Sequence, residues 1–318
     1  MASIKKISKN ILPLILGGFF VWYSLKNISI ETIFEHFKNA DYFWVCLGLF
    51  FGVLSHLSRA YRWKYLLDPL GYKPRFTNST MAVLVAYLVN LALPRAGEIS
   101  RATVMDNYED IPFEKGFGTI VAERIADVIM LLIIIGITLL IQFEFIYNLL
   151  IQKEISFVKI GFVLLILIVG FYIFTYYIKK SKSGFLFKIK NFVNGLIEGL
   201  LSIFKMKHKW KFIFHTVFIW TMYVVMFWIT TFSIDGLDVP LKAVFVGFIA
   251  GALSIAVTNG GIGTYPVAVA TAFSLFGINS ELANAFGWIM WSAQTFMIVA
   301  FGGLAFLFLP IYNKIKQK

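Results

Sequence analysis

Charged side chains lie beside strongly apolar stretches of this 318-residue chain, where they are costly unless they are paired. Glu123 and Asp127 are four residues apart, so they share one face of a helix, and Arg124 lies next to them. A charge at the bilayer centre costs roughly 2.5–3.5 kcal/mol, so these side chains should turn inward and find partners. They are candidates for a lipid-phosphate or proton site. Alternatively, they only neutralise one another, or Arg124 extends to the membrane surface.

A second charged set follows Pro94. Arg95, Glu98 and Arg101 recur at three-residue spacing, which predicts one charged stripe on a helix that begins just after the proline. The free N–H groups and positive dipole at such a helix N-terminus would favour an anion. The alternative is a solvated turn whose charges pair with each other.

A third set is basic and aromatic and follows the second apolar stretch. Its basic members are Arg59, Arg62 and Lys64, and aromatic residues are interleaved with them at Tyr61, Trp63 and Tyr65. This pattern predicts an interfacial belt at the cytoplasmic surface that orients and anchors the chain, with recognition of a lipid head group as the alternative.

A glycine-rich turn interrupts an apolar stretch near residue 260. Gly260, Gly261 and Gly263 permit positive φ angles and the close approach of a ligand or of another helix. Asn259 could cap a helix or coordinate a ligand there. Tight glycine packing between membrane helices is the alternative explanation.

Metal and redox chemistry have no support in the sequence. Cys46 is the only cysteine, so an internal disulfide and cysteine metal clusters are excluded. The four histidines lack the spacing that places two zinc ligands on one helix face. We therefore expect no metal and no cofactor. The net charge of +12 comes from lysines beside hydrophobic runs, which favours anionic lipid over nucleic acid as the partner.

The elements that position these residues are membrane helices. With 59% hydrophobic and 14% charged residues and a mean hydropathy of +0.78, the chain is predicted to be an all-α integral membrane protein. Long apolar runs without alternation predict about six spans. The predicted spans are 10–27, 42–60, 119–141, 157–178, 211–232 and 284–309. The two broken regions are 76–118 and 241–278. Residues 184–206 are predicted to form an interfacial amphipathic helix.

The lysines predict the topology. A lysine-rich linker follows Ile178 and should be cytoplasmic, as should both termini. Each broken region must then cross the membrane an even number of times, most simply as a re-entrant hairpin, the first from the cytoplasmic side and the second from the outer side. The result is one transmembrane domain, 1–318, with inverted halves 1–150 and 151–318. Bulky Trp22 and Tyr23 replace the small residues of a cleavage site, so the first apolar run is predicted to be a retained helix.

Several of these residues together resemble the lysylphosphatidylglycerol synthase transmembrane-region family, also called the flippase-like family. The motifs that carry the resemblance are Arg62-Trp63, Asn90, Pro94, Gly97-Glu98, Arg101, Glu123-Arg124 with Asp127, and Gly260-Gly261-Ile262-Gly263. The resemblance implies a helical bundle that moves or handles a polar-headed lipid. We expect this chain to act without the soluble synthase domain of the best-known relatives, and Pro266 stands where the resemblance leads us to expect a glutamate.

Three functional hypotheses follow. The first is a lipid flippase-like transporter of the plasma (inner) membrane, whose substrate-binding residues are Asn90, Arg95, Glu98, Arg101, Glu123, Arg124, Asp127, Asn259, Gly260, Gly261 and Gly263. The second is a membrane-embedded transferase or hydrolase with Glu98 or Asp127 as general base, although no nucleophile constellation is recognisable. The third is a membrane scaffold for a separately encoded synthase. The sequence favours a transporter over an enzyme and leaves the oligomeric state open.

Overall fold

The computed structural model describes residues 21–22, 30–93, 95–144, 165, 169, 206–258 and 260–316. Most of the predicted spans 10–27 and 157–178 and of the interfacial helix 184–206 lies outside these residues. Pro94 and Asn259 also lie outside them.

The fold is all-α. Among the described residues the elements are α1 (Ile30–Asn39), α2 (Tyr42–Leu67), α3 (Phe76–Ala92), α4 (Gly97–Glu109), α5 (Phe113–Ile141), α6 (Lys209–Thr231), α7 (Leu241–Val257), α8 (Thr264–Ser274) and α9 (Ser280–Lys316). Within this part of the chain, four helices are long and apolar enough to cross a membrane: α2 with the turn that follows it, α5, α6 and α9. Helices α3 and α7 are apolar but have only 17 residues each, fewer than the roughly 20 of a comfortable span.

The chain divides into two compact units, residues 1–123 with 208–318, and residues 124–207. Helix α5 begins in the first unit and continues into the second from Arg124. Both broken regions belong to the first unit. This division does not coincide with the halves 1–150 and 151–318, so the prediction of one domain with inverted halves stays a prediction.

Within the first unit, α2 and α6 pack against each other and run antiparallel. At one end the backbone N–H of Asp41 donates to the Ser233 carbonyl at 2.9 Å, and at the other end Ser58 Oγ lies 2.8 Å from His215 Nδ1. Between these points the helices approach so closely that a Cβ on Gly48 would lie 2.4 Å from Thr230 Oγ1. An antiparallel pair of long helices is the relation that an inverted repeat requires.

The positions of the two hairpins can be described along helix α9, whose 37 residues extend for about 55 Å. The α7/α8 hairpin contacts its first half, where Trp291 Nε1 donates to the Gly260 carbonyl at 2.8 Å. The α3/α4 hairpin contacts its second half, where Asn313 Nδ2 donates to Asn78 Oδ1 at 3.1 Å. A Cβ on Gly260 would lie 3.3 Å from Leu91 Cδ2, so the tips of the two hairpins meet near the middle of α9.

Side chains of the first hairpin, of α1 and of α9 meet at the two ends of the first unit. At the Asn313 end, Arg75 Nε donates to Glu109 Oε1 at 2.7 Å and Arg75 Nη2 donates to Asn313 Oδ1 at 2.7 Å. At the opposite, Glu281 end, His36 Nε2 lies 3.1 Å from Glu281 Oε1. A Cβ on Gly236, in the segment before α7, would lie 3.9 Å from Leu282 Cδ1 of α9, so the α7/α8 hairpin has its open end at the Glu281 end. The two hairpins therefore enter from opposite ends, as the parity of the spans predicted.

Helix α9 continues beyond the predicted end of the last span at residue 309. Asn313, which lies beyond that predicted end, is inside the helix and buried. Its Nδ2 also donates to the Leu309 carbonyl at 2.8 Å, so its amide group is satisfied within the bundle. Sequence hydropathy could not foresee this because the partners Asn78 and Arg75 are more than 230 residues away.

Candidate functional site

Glu123 on α5 is the centre of a buried ionic cluster, which we define as Arg59, Arg62, Arg101 and Glu123. Its side chain is fully buried, and Oε1 lies 2.9 Å from Arg59 Nη1, 2.9 Å from Arg101 Nη1 and 3.5 Å from Arg62 Nη2. None of the three arginine side chains is more than 3% exposed. One carboxylate thus gathers three guanidinium groups from two other helices, all within the first unit.

Arg101 on α4 holds Glu123 with both arms of its guanidinium group. Nη1 donates to Oε1 at 2.9 Å and Nη2 donates to Oε2 at 3.2 Å. The same guanidinium group lies over the Trp63 ring, 3.8 Å from its centroid, and Trp63 Nε1 donates to Thr119 Oγ1 at 2.9 Å. Forked hydrogen bonds and stacking on an aromatic face are properties of arginine that lysine lacks.

Arg62 has a similar double contact on the other side of the cluster. Its Nη1 donates to Thr216 Oγ1 of α6 at 2.9 Å, and its guanidinium carbon lies 5.2 Å from the centroid of the Phe212 ring. Thr216 Oγ1 in turn donates to the Phe212 carbonyl at 2.8 Å. Helices α2, α4, α5 and α6 therefore all contribute to the cluster and its lining.

The cluster lies well inside the bundle. At 1.5 Å per residue, Arg59 and Arg101 are about 12 Å, and Glu123 about 15 Å, along their helices from the ends nearest to Asn313. The four side chains carry a formal charge of +2. Such a centre suits a phosphate or carboxylate group, which guanidinium forks bind in a bidentate manner.

The predicted interfacial belt requires a correction. Arg59 and Arg62 are buried in the ionic cluster, and only Lys64 is partly exposed, with its Nζ donating to Tyr61 Oη at 2.8 Å. The reason is that α2 continues to Leu67, past the predicted end of the span at residue 60. Both arginines consequently lie within a helix whose face packs against other helices, and not at its end.

The predicted stripe of Arg95, Glu98 and Arg101 is also wrong as a single surface. Arg95 precedes α4, has a φ of 64° and is exposed. Arg101 instead faces Glu123 of α5. The helix begins only at Gly97, two residues later than a stripe containing Arg95 would need.

Asn90 and Glu98 join the two arms of the first hairpin. Asn90 Oδ1 accepts a hydrogen bond from the Gly97 backbone N–H at 2.8 Å, and Asn90 Nδ2 lies 3.4 Å from Glu98 Oε2. A Cβ on Gly97 would lie 2.1 Å from the Ala86 carbonyl oxygen, so the arms touch at this point. The free N–H of the helix start, expected to face an anion, is capped by Asn90.

The glycine turn of the second hairpin uses the conformations predicted for it. Gly260, Gly261 and Gly263 have φ angles of 67°, 75° and 68°. The Gly261 carbonyl accepts from the Tyr265 backbone N–H at 2.9 Å as α8 begins. A Cβ on Gly287 would lie 2.6 Å from Pro266 Cα, so Pro266 packs against α9.

Arg124 and Asp127 belong to the second unit. Arg124 Nη1 lies 3.6 Å from Asp127 Oδ2, and the Arg124 side chain is 38% exposed while that of Asp127 is 10% exposed. Apolar side chains that follow them on α5 are exposed at Val128, Leu132 and Leu140, as expected of a lipid-facing surface.

The sequence did not single out the neutral groups that line the cluster. Thr119, Phe212 and Thr216 contact it through Trp63 or Arg62, and a threonine or phenylalanine in an apolar run carries no distinguishing signal. Arg59 and Arg62 did offer one, because their three-residue spacing places them on one helix face. Among the described residues, no group of three or more His, Cys, Asp or Glu side chains could hold a metal ion.

Comparison with known proteins identifies the family of this chain. The model of the family described as the lysylphosphatidylglycerol synthase TM region matches residues 10–303, which include all four cluster residues and both hairpin turns. The chain belongs to this family. It is a multi-pass integral membrane protein. No solved structure matches the chain.

Two curated relatives are similar to this member of the family. It is 25% identical over 305 residues to the UPF0104 membrane protein MJ1595 of Methanocaldococcus jannaschii. The aligned region covers 88% of this chain and 89% of that protein. It is 28% identical over 113 residues to the glycosyltransferase AglD of Haloferax volcanii, which covers 35% of this chain and 18% of that protein.

Proposed function

We propose that this protein is a flippase-like transporter that binds the anionic or zwitterionic head group of a phospholipid, or of another lipid-linked substrate, at the ionic cluster. The observation that carries the proposal is the meeting of three buried arginines and one glutamate inside an apolar bundle. An ordinary membrane helix bundle gains little from such a centre, because desolvating ion pairs offsets most of their attraction. A lipid phosphate that replaces Glu123 as the partner of the three arginines would explain why they are buried together.

The two hairpins supply the movement. The hairpins enter from opposite ends and meet at Leu91 and Gly260. Each hairpin therefore lies between the middle of the bundle and one of its two ends. Alternate opening of the α3/α4 and α7/α8 hairpins would expose the head-group site first to one leaflet and then to the other. Arg101 lies on the first hairpin, so movement of this hairpin would change the contacts of Glu123 directly.

We propose that the protein resides in the plasma (inner) membrane with both termini in the cytoplasm. This orientation puts the Asn313 end, next to the lysines at residues 73 and 314, on the cytoplasmic side. The cluster would then lie nearer to the lipids of the inner leaflet. A phospholipid is the expected partner, and no cofactor is part of this mechanism.

Reconstituted vesicles test the proposal. Purified protein is inserted into vesicles that contain a trace of fluorescent phosphatidylglycerol, and the fraction of the dye that an impermeant reductant quenches over time measures lipid exchange between leaflets. Arg101→Lys keeps the charge but removes the fork and the stacking on Trp63, so we expect exchange at least tenfold slower than with the unaltered protein.

The matched control is Lys115→Arg, the reverse exchange at an exposed position of α5. It should leave the exchange rate within twofold of the unaltered protein. Thermal melting of both variants confirms that they are folded. An exchange rate no faster than that of empty vesicles, or equal rates for the unaltered protein and Arg101→Lys, would overturn the proposal.

A second candidate is a membrane subunit that serves a separately encoded synthase. The relative that is named a glycosyltransferase favours this candidate, because the part that aligns with this chain is only 18% of that protein. This alternative predicts that a synthase co-purifies and loses activity without this protein, while Arg101→Lys has little effect on that activity. A membrane-embedded transferase with Glu98 or Asp127 as base would instead form product from purified protein and lipid.

A further inference from the structure

His56 is a buried polar side chain of α2 that the ionic cluster does not use. It is 6% exposed, and neither of its ring nitrogens has a hydrogen-bond partner in the part of the chain that the structure describes. Leaving a buried donor and a buried acceptor unsatisfied costs free energy, so packing alone would favour an apolar residue here. Ionisable side chains inside membrane bundles commonly belong to ion or proton pathways, and histidine is the side chain whose charge normally changes near neutral pH.

Two tyrosines lie against His56. The His56 ring centroid is 4.6 Å from that of Tyr87 on α3 and 6.2 Å from that of Tyr223 on α6. The two tyrosine hydroxyl oxygens are 3.3 Å apart, and both side chains are only half-buried. A hydroxyl group both donates and accepts hydrogen bonds, so these side chains are suited to carry a proton between His56 and water.

Few other ionisable side chains face this level of the bundle. Arg59 lies beside His56 on α2, and Tyr87 is the only ionisable residue of α3. On α6 the lysine and histidine residues lie within the first two turns of the helix. Helix α9 approaches α2 at Met297 and has no ionisable residue from 290 to 310. Proton uptake at this level therefore falls to His56, with Arg59 as the charge beside it.

The charge of the ionic cluster links His56 to the proposed head-group site. His56 precedes Arg59 by three residues, so the two side chains share a face of α2 about one helical turn apart. A proton on His56 would add a further positive charge to a cluster that already carries +2, and like charges repel strongly in a medium of low dielectric constant. A lipid phosphate at the arginines lowers that charge and favours the proton. By reciprocity, the proton on His56 favours the phosphate.

Tyr87 connects proton access with the movement of the first hairpin. Both His56 nitrogens are shielded from solvent in this arrangement. Tyr87, which lies against the His56 ring, is on the first arm of the α3/α4 hairpin, one turn before Asn90. Movement of this hairpin would shift Tyr87 and Arg101 together. The proton and the head group would then reach their sites in the same step, as coupled transport requires.

We propose that His56 binds a proton that travels with each anionic head group, so that a pH gradient drives lipid movement. This inference rests on the proposed function and specifies its driving force. On the acidic side an imidazole nitrogen takes up a proton from water while the phosphate binds at the arginines, and on the alkaline side both are released. One proton and one singly charged lipid together carry no net charge across the membrane.

Vesicles with an imposed pH gradient test this coupling. The full-length protein is reconstituted with a trace of fluorescent phosphatidylglycerol, the outside is made one pH unit more acidic, and potassium with valinomycin holds the membrane potential at zero. At steady state an impermeant reductant measures the dye in the outer leaflet. We expect several-fold more dye in the inner leaflet, with about tenfold as the limit for one proton per lipid. Vesicles without protein and vesicles without a gradient give the baselines.

His56→Gln keeps hydrogen-bonding groups but cannot take up the proton. Under the gradient it should leave the dye distributed as in the protein-free baseline, and this steady-state ratio does not depend on how fast the variant exchanges lipid. His208→Gln is the matched control and should keep the asymmetry of the unaltered protein, since His208 is half-buried at the N-terminus of α6.

Proton uptake in detergent gives a second measurement for a variant that no longer exchanges lipid. Short-chain phosphatidylglycerol is added to the purified protein in a weakly buffered solution that contains a pH indicator. The unaltered protein and His208→Gln should take up protons as the lipid binds, and His56→Gln should not. Thermal melting confirms that the variants are folded.

The outcomes separate the two proposals. If the unaltered protein exchanges the dye but shows neither asymmetry nor proton uptake, or if His56→Gln retains either, the proton site is wrong and the head-group site at the arginines stands. If the unaltered protein exchanges the dye no faster than empty vesicles, the proposed function fails and the proton coupling fails with it.

Discussion

At the scale of single residues, the site depends on how each buried ion is satisfied. Arg62 and Arg101 both contact Glu123, and each also lies against an aromatic ring. Charge pairing in an apolar bundle is strong once formed, but removing one partner leaves the others buried without compensation. Glu123 is the common partner, so the cluster is most sensitive to its loss.

Glu123→Gln should destabilise the protein more than any other single amide substitution on α5. The loss of the carboxylate leaves three buried guanidinium groups facing a neutral side chain, at a cost of about 3–5 kcal/mol. We expect the melting temperature in detergent to fall by several degrees. Glu114→Gln, on an exposed position of the same helix, is the control and should change it by less than one degree. Equal melting temperatures for the two variants would mean that Glu123 does not hold the cluster.

At the scale of elements, each hairpin depends on glycine, the first for a close contact and the second for its backbone conformation. The α3/α4 hairpin closes at Gly97, where a Cβ would meet the Ala86 carbonyl and the Asn90 amide group. The α7/α8 hairpin turns through three glycines with positive φ, a conformation that costs other residues about 1 kcal/mol or more. The sequence identified both breaks because proline and glycine interrupt apolar runs there.

Gly97→Ala should force the arms of the first hairpin apart. The added Cβ would lie 2.1 Å from a backbone oxygen, which cannot move as a flexible side chain would. We expect a destabilisation of about 1–3 kcal/mol and slower lipid exchange. In contrast, Gly118→Ala on α5 adds a methyl group where nothing lies within 4 Å, and its higher helix propensity should leave the melting temperature equal or higher. A stable and fully active Gly97→Ala variant would show that the hairpin is looser than its contacts imply.

At the scale of the whole molecule, the first unit is held at its Asn313 end by contacts between distant parts of the chain. Asn313 of α9 exchanges hydrogen bonds with Asn78 of α3, and Arg75 contacts both Asn313 and Glu109. This network ties the last helix to both arms of the first hairpin. Any movement of that hairpin during transport must therefore either break this network or move α9 together with the hairpin.

Asn313→Leu removes this tie. Asn78 and Arg75 each lose a partner, and we expect about 1–3 kcal/mol of destabilisation, seen as a lower melting temperature. Lys314→Leu, at the exposed neighbouring position, is the control and should have little effect. If both variants melt at the same temperature, the network contributes nothing to stability.

The opposed ends also predict the topology in a cell. Single cysteines replace Lys73 and Asp235 in turn, both exposed, in a Cys46→Ser background. An impermeant maleimide should label position 235 on intact cells and position 73 only after permeabilisation, because the lysine-rich side stays in the cytoplasm. Labelling of both positions from the same side would contradict the opposed hairpins, and the reverse pattern would contradict only the orientation.

The sequence by itself determined the membrane class, the four long apolar helices within the described residues, both breaks and the family motifs. These follow from local hydropathy, helix length and glycine or proline chemistry, which neighbouring residues decide. The tertiary structure alone decided the partners of the charges. Arg59 and Arg62 lie in the cluster and not in the predicted surface belt, and Arg101 pairs with Glu123. Which face of a helix meets another helix depends on packing across the whole bundle, and that information is not contained in any single segment.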